Sequence, residues 1–326
     1  MLAEIEQAEH SIFIEMYIMV DDTRGFEFIK ALEKKARAGV QVKLVLDSFG
    51  SFSLSNDAID KLRASGAEVL FFSRWLHRLH RKLLVVDEQV AITGGVNIHR
   101  DARHWADFAL RMKGGRVIRT ALQSFAKIYF KSGGKDSSMR RFLKHSLFAK
   151  TGASFLSYGR RMRLKRLYKE KLFTAKHSVV LVTPYFVPDR WLVEALDGAA
   201  LRGVSVDIVL PQKSDSWFMD RSNHFYILKM AKTNVRFFLY PKMNHAKIFI
   251  VDEAEALIGS QNIDALSFNR NVESGVLIND NEVVADISRI VKTWENESKI
   301  FRGNEYRRRW YDYILAPIIR LLQPFL

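Results

Sequence analysis

Cysteine is absent from this sequence, which excludes disulfide bonds, thiolate metal sites and cysteine nucleophiles together. No apolar run reaches the roughly 18 residues of a membrane-spanning helix, and the first residues lack the basic and apolar regions of a signal peptide. A P-loop, a dinucleotide fingerprint and a histidine and carboxylate pattern typical of metal sites are also missing. We therefore expect no cofactor and no metal.

The composition predicts a globular protein with a positively charged surface. Hydrophobic residues make up 48% of the 326 positions, which is enough for one large α/β domain or two smaller ones. The formal net charge is +15, so polyanions and anionic membrane surfaces are the expected partners, and charge alone does not separate them. If the chain is complete, it is soluble or lies peripherally on the cytoplasmic face of the cell membrane.

An internal repeat organises the chain. The stretch HSIFIEMY at 10–17 recurs as HSVVLVTP at 177–184, and ALEKKARAGVQVKLVL at 31–46 recurs as ALDGAALRGVSVDIVL at 195–210. Each half reads as strand, helix, strand, further helix and then a strand hairpin. The predicted fold class is α/β, a pseudo-dimer in which each half is a mixed sheet flanked by helices, with the active site at the interface between the halves.

Local patterns support this fold. The apolar residues Phe28, Ile29, Leu32 and Ala36 share one helical face, and Gly39 is expected to end that helix. The β-branched run VQVKLVL that follows is typical of a buried strand.

The domain boundary is predicted in a basic linker. We place the first repeat at 1–150 and the second at 151–326, with Gly/Ser-punctuated linker sequence at 131–171. Its segment RRMRLKRLY interleaves cations with apolar residues, so it is either a solvated face or a helix lining an anion-binding cleft.

A repeated motif carries the chemistry of the sequence. His80 and Lys82 lie two apart on a predicted strand, so their side chains share one face, as do those of His245 and Lys247. A hairpin then returns a glycine and an asparagine to each pair. The returning residues are Gly94, Gly95 and Asn97 in the first half, and Gly259, Ser260 and Asn262 in the second. Imidazole, ammonium, amide and a close-approach turn together suit a phosphate group.

Carboxylates of two kinds accompany the motif. Asp87 and Asp252 should lie at the far end of each hairpin, roughly 17 Å from the lysine, and we expect a structural role for them. Asp107 and Glu273 lie at matching offsets after the two histidines, where an acceptor for the second ring nitrogen is needed. Phe71, Phe72 and Trp75 are interpreted as wall or core residues rather than a base-stacking platform.

The two copies of H-x-K-x4-D-x6-G-[GS]-x-N, at 80–97 and 245–262, resemble the phospholipase D superfamily. Within it, IEMYIMVDD at 14–22, TPYFVPD at 183–189 and GSQNIDALSFNRNVE at 259–273 are similar to bacterial cardiolipin synthases. The resemblance covers nearly the whole chain. It departs at Gln261, where a small residue is expected.

This resemblance implies a metal-independent phosphatidyl transfer through a covalent phosphohistidine. The implied catalytic residues are His80, Lys82, Asp87, His245, Lys247 and Asp252. Asn97, Asn262, Gly95 and Ser260 would bind the phosphate, with Asp107 and Glu273 supporting the histidines. The implied partners are an anionic phospholipid, phosphatidylglycerol above all, and a membrane surface, whereas nucleic acid is not expected; the oligomeric state is left open.

The C-terminus carries an apolar helical stripe next to basic residues. Behind Arg307, Arg308 and Arg309, an apolar stripe repeats at helical spacing through Tyr311, Ile314, Leu315, Ile318, Ile319 and Leu322. Such a helix either lies on an anionic bilayer or docks onto the protein or a partner. Pro317 is expected to kink it.

Three other functions remain open at this point. A phospholipase D would hydrolyse the same intermediate, and a metal-independent nuclease would use the same site on DNA or RNA, which the positive charge also suits. A basic scaffold without activity is disfavoured because both motifs are intact.

Overall fold

The computed structural model describes residues 1–143, 153–158, 161–230, 233–301 and 310–325. The chain divides into two compact units. Unit 1 comprises Met1–His104, Ala109–Ser157 and Asn271–Gly275, and unit 2 comprises Trp105–Phe108, Tyr158–Arg270 and Val276–Leu326. Each unit therefore includes a short segment from the other half of the sequence. The predicted boundary between residues 150 and 151 lies outside the described residues and stays a prediction.

Unit 1 is built on a six-stranded mixed sheet. Its strands are β1 (Ser11–Met16), β2 (Gln41–Asp47), β3 (Glu68–Phe72), β4 (Lys82–Val86), β5 (Val90–Gly94) and β6 (Ala109–Lys113). Its helices are α1 (Leu2–Gln7), α2 (Gly25–Arg37), α3 (Asn56–Ala64) and α4 (Gly115–Lys131). The strand order is β3-β2-β1-β4-β5-β6, parallel among the first three strands and antiparallel from β4 onward.

The core of unit 1 follows the predicted patterns. All six residues of β1 are buried, because helices cover its sheet. Helix α2 buries Phe28, Ile29, Leu32 and Ala36 as predicted, and Gly39 follows it with a φ of +88°. Glycine is suited to that left-handed position because it has no Cβ.

Unit 2 repeats this arrangement. Strand β7 (Ala153–Tyr158) comes before the repeated strands in the sequence. The following strands are β8 (Ser178–Val182), β9 (Ser205–Pro211), β10 (Val235–Tyr240), β11 (Ile248–Val251), β12 (Glu255–Gly259), β13 (Glu273–Ile278) and β14 (Lys299–Ile300). The helices are α5 (Arg161–Thr174), α6 (Arg190–Leu201), α7 (Trp217–Met230), α8 (Ala265–Asn269), α9 (Asn281–Glu297) and α10 (Trp310–Leu322).

The repeat is visible in the sheet order. In the second sheet β10-β9-β8-β11-β12-β13 follow one another as β3-β2-β1-β4-β5-β6 do in the first. Strands β8, β9 and β10 are parallel, and β11 is antiparallel to both β8 and β12. The predicted α/β fold with two mixed sheets flanked by helices is confirmed.

The predicted linker contributes a helix. Most of RRMRLKRLY lies in α5, which buries Leu164, Tyr168 and Leu172 on one face. Lys165, Arg166 and Lys169 point into a groove of about 880 Å³ beside α6. The segment is therefore helical, but its exposed cations also form a solvated face, so anion binding in this groove stays a prediction. Residues 144–152, 159 and 160 of the linker lie outside the described part.

The C-terminal stripe is divided between two environments. Helix α10 packs against α7, burying Ile319, while Ile314 and Ile318 remain exposed. Arg221 of α7 and Asp312 form an ion pair of 3.8 Å beside this contact. The predicted docking onto the protein's own body is thus correct for one face only. Arg307, Arg308, Arg309 and the side chain of Tyr311 lie outside the described residues. Within the described ranges, no helix has the length and apolar character to cross a membrane.

Candidate active site

One edge of the first sheet gathers the motif residues of unit 1. The parallel strands β1, β2 and β3 end at this edge, and the antiparallel β4 begins there. Leu83 pairs with Thr93, so the chain beyond β5 returns Gly95 and Asn97 to the same edge. The hairpin inferred from the sequence is therefore present. His80, Lys82, Gly95 and Asn97 are all buried.

The ring of His80 is held by a carboxylate. Its Nδ1 lies 3.0 and 3.1 Å from the two carboxylate oxygens of Glu273, which is fully buried. The backbone N–H of His80 also donates to the carbonyl of Val272, at 3.0 Å. A carboxylate beside Nδ1 favours the tautomer in which Nδ1 carries the proton, because that N–H donates to the carboxylate. That is the tautomer of a nucleophilic imidazole.

The neighbouring side chains complete this cluster. Lys82 Nζ donates to the carbonyl of His80 at 2.7 Å and lies 5.0 Å from the centre of the Tyr17 ring. The Tyr17 ring meets the His80 ring edge-on with centroids 4.6 Å apart. Asn97 Oδ1 accepts from the backbone N–H of Ile18, at 3.3 Å. Imidazole, ammonium and amide are thus assembled in unit 1.

Unit 2 builds the equivalent cluster with a different carboxylate. His245 Nδ1 lies 2.8 Å from Asp107 Oδ2, and the His245 backbone N–H donates to the Ala106 carbonyl at 2.6 Å. Lys247 Nζ donates to the His245 carbonyl at 2.5 Å, as Lys82 does to His80. The Trp105 ring lies 5.2 Å from the His245 ring, with the two ring planes tilted by 48°.

The returning hairpin residues of unit 2 are buried as well. Ser260 is fully buried, and the Asn262 backbone N–H donates to Ser267 Oγ at 3.1 Å. Asn262 Oδ1 and both amide atoms of Gln261 are buried without a hydrogen-bond partner in the described structure. Buried polar groups normally have a partner, so this end of unit 2 is suited to a polar ligand.

Each histidine is bonded by a carboxylate from the other half of the sequence. Glu273, from the second half, bonds the first histidine across 193 residues, and Asp107, from the first half, bonds the second across 138 residues. Short parallel bridges position each exchanged segment, Leu79 with Val272 and Ala106 with Asn244. Sequence offsets identified both carboxylates but left their pairing open.

The motif aspartates occupy the opposite edge of each sheet. Asp87 accepts from the backbone N–H groups of Glu9, His10 and Ser11 at 2.9, 2.7 and 2.8 Å. Burial acts to raise the pKa of Asp87, but these donors outweigh it and hold the pKa below its usual value. The structure therefore places Asp87 at the start of β1, away from the His80 cluster.

Asp252 has the same environment in unit 2. Its carboxylate accepts from the backbone N–H groups of Lys176, His177 and Ser178 at 2.7–3.1 Å. The pKa of Asp252 is lowered despite the opposing effect of burial. Both aspartates adopt positive φ, 51° and 52°, in the turn between the hairpin strands.

Sequence reasoning missed a buried ionic network behind His80. Arg81 Nε donates to the Glu273 carbonyl at 3.1 Å, and its Nη1 contacts Ser124 Oγ at 2.6 Å and Glu15 Oε2 at 3.4 Å. Burial raises the pKa of Glu15, and the Arg81 charge opposes that shift. The signal was the alternation in H-R-K, which directs Arg81 to the face opposite His80. Ala246 occupies this position in unit 2.

One of the three aromatic residues before His80 is not the wall or core residue that we expected. Phe72 is buried and Phe71 partly buried, as expected, but Trp75 is 87% exposed. The reason is local. Trp75 lies in a tight turn closed by the His77 N–H on the Arg74 carbonyl, which projects away from the sheet.

Among the described residues, no group of three or more histidine or carboxylate side chains is arranged to hold a metal ion. The donor set of each cluster also differs from a metal site, because each histidine Nδ1 bonds a carboxylate and a lysine lies beside the ring. These clusters suit a phosphate anion better than a cation.

Comparisons with known proteins agree with this arrangement. The family model described as cardiolipin synthase, PLD-like domain, matches residues 1–129 and 168–294. A cardiolipin synthase of Clostridium perfringens (strain SM101 / Type A) is 31% identical, over 100% of this chain and 74% of its own length. One from Geobacillus kaustophilus (strain HTA426) is 30% identical, over 99% of this chain and 69% of its own length.

A solved structure shares the fold. The phosphatidylserine synthase of Haemophilus influenzae Rd KW20 superposes with a TM-score of 0.79 at 14% identity, covering 100% of this chain and 92% of that one.

Proposed function

Because this chain belongs to the cardiolipin synthase family, through its phospholipase D-like domain, we propose that it transfers a phosphatidyl group between phospholipids through a covalent phosphohistidine. The observation that supports this most directly is the repeated geometry of the histidines. In each unit a buried histidine bonds a buried carboxylate through Nδ1 and has a lysine two residues away.

The first step forms a bond from His80 Nε2 to phosphorus. The bond from phosphorus to the head-group oxygen breaks, and protonated His245 donates its proton to that oxygen. Glu273 holds the Nδ1–H of His80 and stabilises the positive charge that develops on the ring. This chemistry requires the two histidines to act on the same phosphorus from opposite sides.

The second step returns the phosphatidyl group to an oxygen. Neutral His245 accepts the proton of an incoming lipid hydroxyl, whose oxygen attacks phosphorus as the bond to His80 Nε2 breaks. Asp107 orients His245 for both transfers. The enzyme is then restored to its starting protonation state. We assign the nucleophile to His80, whose Nδ1 contacts both oxygens of Glu273, and the reverse assignment exchanges the roles of the two histidines.

Cations and amides act on the phosphate itself. We assign Lys82 and Lys247 to the negative charge on the non-bridging oxygens, where buried ammonium groups act strongly. Asn97, Asn262, Gly95 and Ser260 would line the phosphate. We assign Asp87 and Asp252 to strand anchoring, because their oxygens are engaged by backbone N–H groups.

The proposed donor is phosphatidylglycerol, presented by an anionic membrane surface to which the chain binds peripherally from the cytoplasmic side. The net charge of +15 supports this assignment, as do relatives named cardiolipin synthases. Nucleic acid is not an expected substrate. Hydrolysis by water in place of the lipid hydroxyl, and nuclease activity, are the alternatives that the experiment separates.

The test is an assay of the purified protein in EDTA with phosphatidylglycerol vesicles and, separately, with plasmid and single-stranded DNA. Wild type should form diphosphatidyl product, and His80→Ala and His245→Ala should each lose at least about a thousandfold in rate. The exposed His177 lies outside the motif, so His177→Ala is the matched control and should retain activity. Label on histidine from radioactive lipid, in protein denatured at alkaline pH where the phosphorus–nitrogen bond survives, would report the intermediate and should be absent in His80→Ala.

The products decide between the alternatives. Free phosphatidic acid alone would identify a hydrolase, and nicked DNA with untouched lipid would refute the lipid assignment. Activity that EDTA abolishes and a divalent cation restores would refute the metal-independent mechanism.

A further inference from the structure

Unit 1 carries an apolar turn that projects into solvent. The turn at residues 74–77 is closed by the His77 N–H on the Arg74 carbonyl at 3.2 Å, and His77 Nδ1 lies 2.8 Å from the Trp75 carbonyl. At its tip Trp75 is 87% exposed and Leu76 is 41% exposed. Leu76 has a φ of +56°, a left-handed conformation that is unfavourable for leucine. The surrounding hydrogen bonds hold this apolar tip outward against local strain.

A second loop adds aromatic rings to the same surface. Phe49 is 58% exposed and Phe52 is 80% exposed. Asp47 organises this loop: its Oδ1 accepts from the backbone N–H groups of Phe49 and Gly50, at 3.0 and 2.8 Å. We call Phe49, Phe52, Trp75 and Leu76 the apolar platform. Several large apolar side chains exposed on two adjoining loops often mark an interaction site.

The platform lies at the edge of the sheet that bears His80. Its two loops follow the carboxyl ends of the adjacent parallel strands β2 and β3, where β4 begins. Asp47 Oδ2 accepts from the backbone N–H of Leu79, the residue before His80, at 2.6 Å. The Arg78 guanidinium lies 4.2 Å from the centre of the Phe49 ring and joins the two loops.

A second path connects the platform to His80. A Cβ atom on Gly50 would lie 2.3 Å from the Tyr17 carbonyl oxygen and 2.7 Å from its ring, so this loop packs directly against Tyr17. The Tyr17 ring in turn contacts the His80 ring. The apolar platform is therefore fixed to the candidate nucleophile from two sides.

We propose that the apolar platform inserts into the surface of an anionic phospholipid bilayer and so presents lipid phosphates to His80. Tryptophan and phenylalanine beside arginine suit the boundary between acyl chains and head groups. Arg74 is exposed next to Trp75, and Arg78 lies beneath Phe49, so positive charge borders the platform. The choice of an anionic phospholipid rests on the proposed function. The binding itself does not, because membrane binding is measurable without turnover.

The bilayer is favoured over single-stranded nucleic acid by two features. Base stacking uses open ring faces, and the Phe49 face is occupied by Arg78. The tip residue Leu76 is aliphatic, which suits insertion among acyl chains and offers nothing to a base.

The first test measures co-sedimentation with vesicles of phosphatidylcholine containing phosphatidylglycerol. The variant Trp75→Ser/Phe52→Ser should bind at least about tenfold more weakly than wild type. Each replacement removes the favourable free energy of transferring an aromatic ring from water into the bilayer. The control Phe26→Ser removes a ring of 49% exposure on α2 of the same unit and should change binding less than about twofold. Arg74→Gln should weaken the dependence on the phosphatidylglycerol fraction.

The second test locates Trp75 directly. Brominated lipids should quench part of the wild-type fluorescence, and Trp75→Phe should lose that quenched component while it keeps vesicle binding. The inference is overturned if the double variant binds vesicles as wild type does, if Trp75→Phe leaves the quenching unchanged, or if the double variant loses only binding to single-stranded DNA.

Failure of the proposed function gives a different pattern. His80→Ala should bind vesicles like wild type, and the double variant should turn over monomeric short-chain phosphatidylglycerol at a rate within a few fold of wild type. Platform-dependent vesicle binding without any lipid product would leave this inference standing and refute the proposed function. Lipid turnover with platform-independent binding would do the reverse.

Discussion

Removing the Asp87 carboxylate tests whether this motif residue supports structure or chemistry. Three backbone N–H groups, of Glu9, His10 and Ser11, donate to it at the start of β1. Glycine is the informative replacement because the position has a φ of 51°, which alanine would adopt only with strain. Asp87→Gly thus deletes the acceptors without adding a steric cost.

The magnitude follows from those three contacts. A hydrogen bond to a charged group contributes about 1.5–3 kcal/mol when buried, and the exposed donors here recover part of that from water. About 1 kcal/mol for each bond gives a loss of about 3 kcal/mol in the free energy of unfolding. The greater freedom of glycine in the unfolded chain adds up to about 1 kcal/mol, which relief of the left-handed strain offsets. The melting temperature should fall by roughly 5–10 °C.

The pH dependence has a defined sign. The pKa of Asp87 is lowered in the folded protein, so its carboxylate contributes stability above the unfolded pKa of about 3.9. That contribution is lost as the pH falls through the folded pKa. The stability difference between wild type and Asp87→Gly should therefore be full at pH 6 and shrink below about pH 4.

Calorimetry and turnover together decide the question. Asp87→Asn keeps one acceptor oxygen and tolerates the positive φ, so it should lose less stability than Asp87→Gly. Asp252→Gly, the equivalent change in unit 2, should behave like Asp87→Gly. Turnover per folded molecule should stay within a few fold of wild type in all three. A variant with wild-type melting but a rate as low as that of His80→Ala would refute the reasoning.

Three further predictions concern the surroundings of His80. Glu273→Gln should lower kcat by about a hundredfold or more with KM nearly unchanged. Glu273→Ala should lower kcat further, because glutamine can still accept a hydrogen bond from His80 Nδ1. A change in KM alone in both variants would contradict a positioning role for Glu273. Arg81→Met should cost about 3–5 kcal/mol of stability, measured by denaturant unfolding, because it leaves Glu15 buried without its ion pair. Burial raises the pKa of Glu15 in the folded protein and Arg81 opposes that shift, so the loss should grow as the pH rises through the pKa that Glu15 has in folded wild type, and adding Glu15→Gln should remove the pH dependence. Gly50→Ala should lower the free energy of unfolding by about 1–3 kcal/mol and reduce kcat, because the added Cβ would displace Tyr17. Gly115→Ala is the control: its Cβ would approach only Arg119, at 3.8 Å, so melting and turnover should stay unchanged.

The sequence by itself determined the architecture and the content of the site. Residues two apart on a strand share a face, so His80 with Lys82 and His245 with Lys247 were predictable from spacing, as was the return of Asn97 along the hairpin. The apolar face of α2 followed from its helical period. These features depend on local geometry, which the order of residues fixes within a few positions.

Only the tertiary structure decided which groups meet over long distances. The pairing of Glu273 with His80 depends on where the segment around Val272 docks, and no local period encodes a contact across 193 residues. The burial of Arg81 against Glu15 and the exposure of Trp75 depend in the same way on what packs around each side chain. Sequence periodicity assigns a residue to a face, whereas tertiary packing determines whether that face meets a carboxylate, the core or solvent.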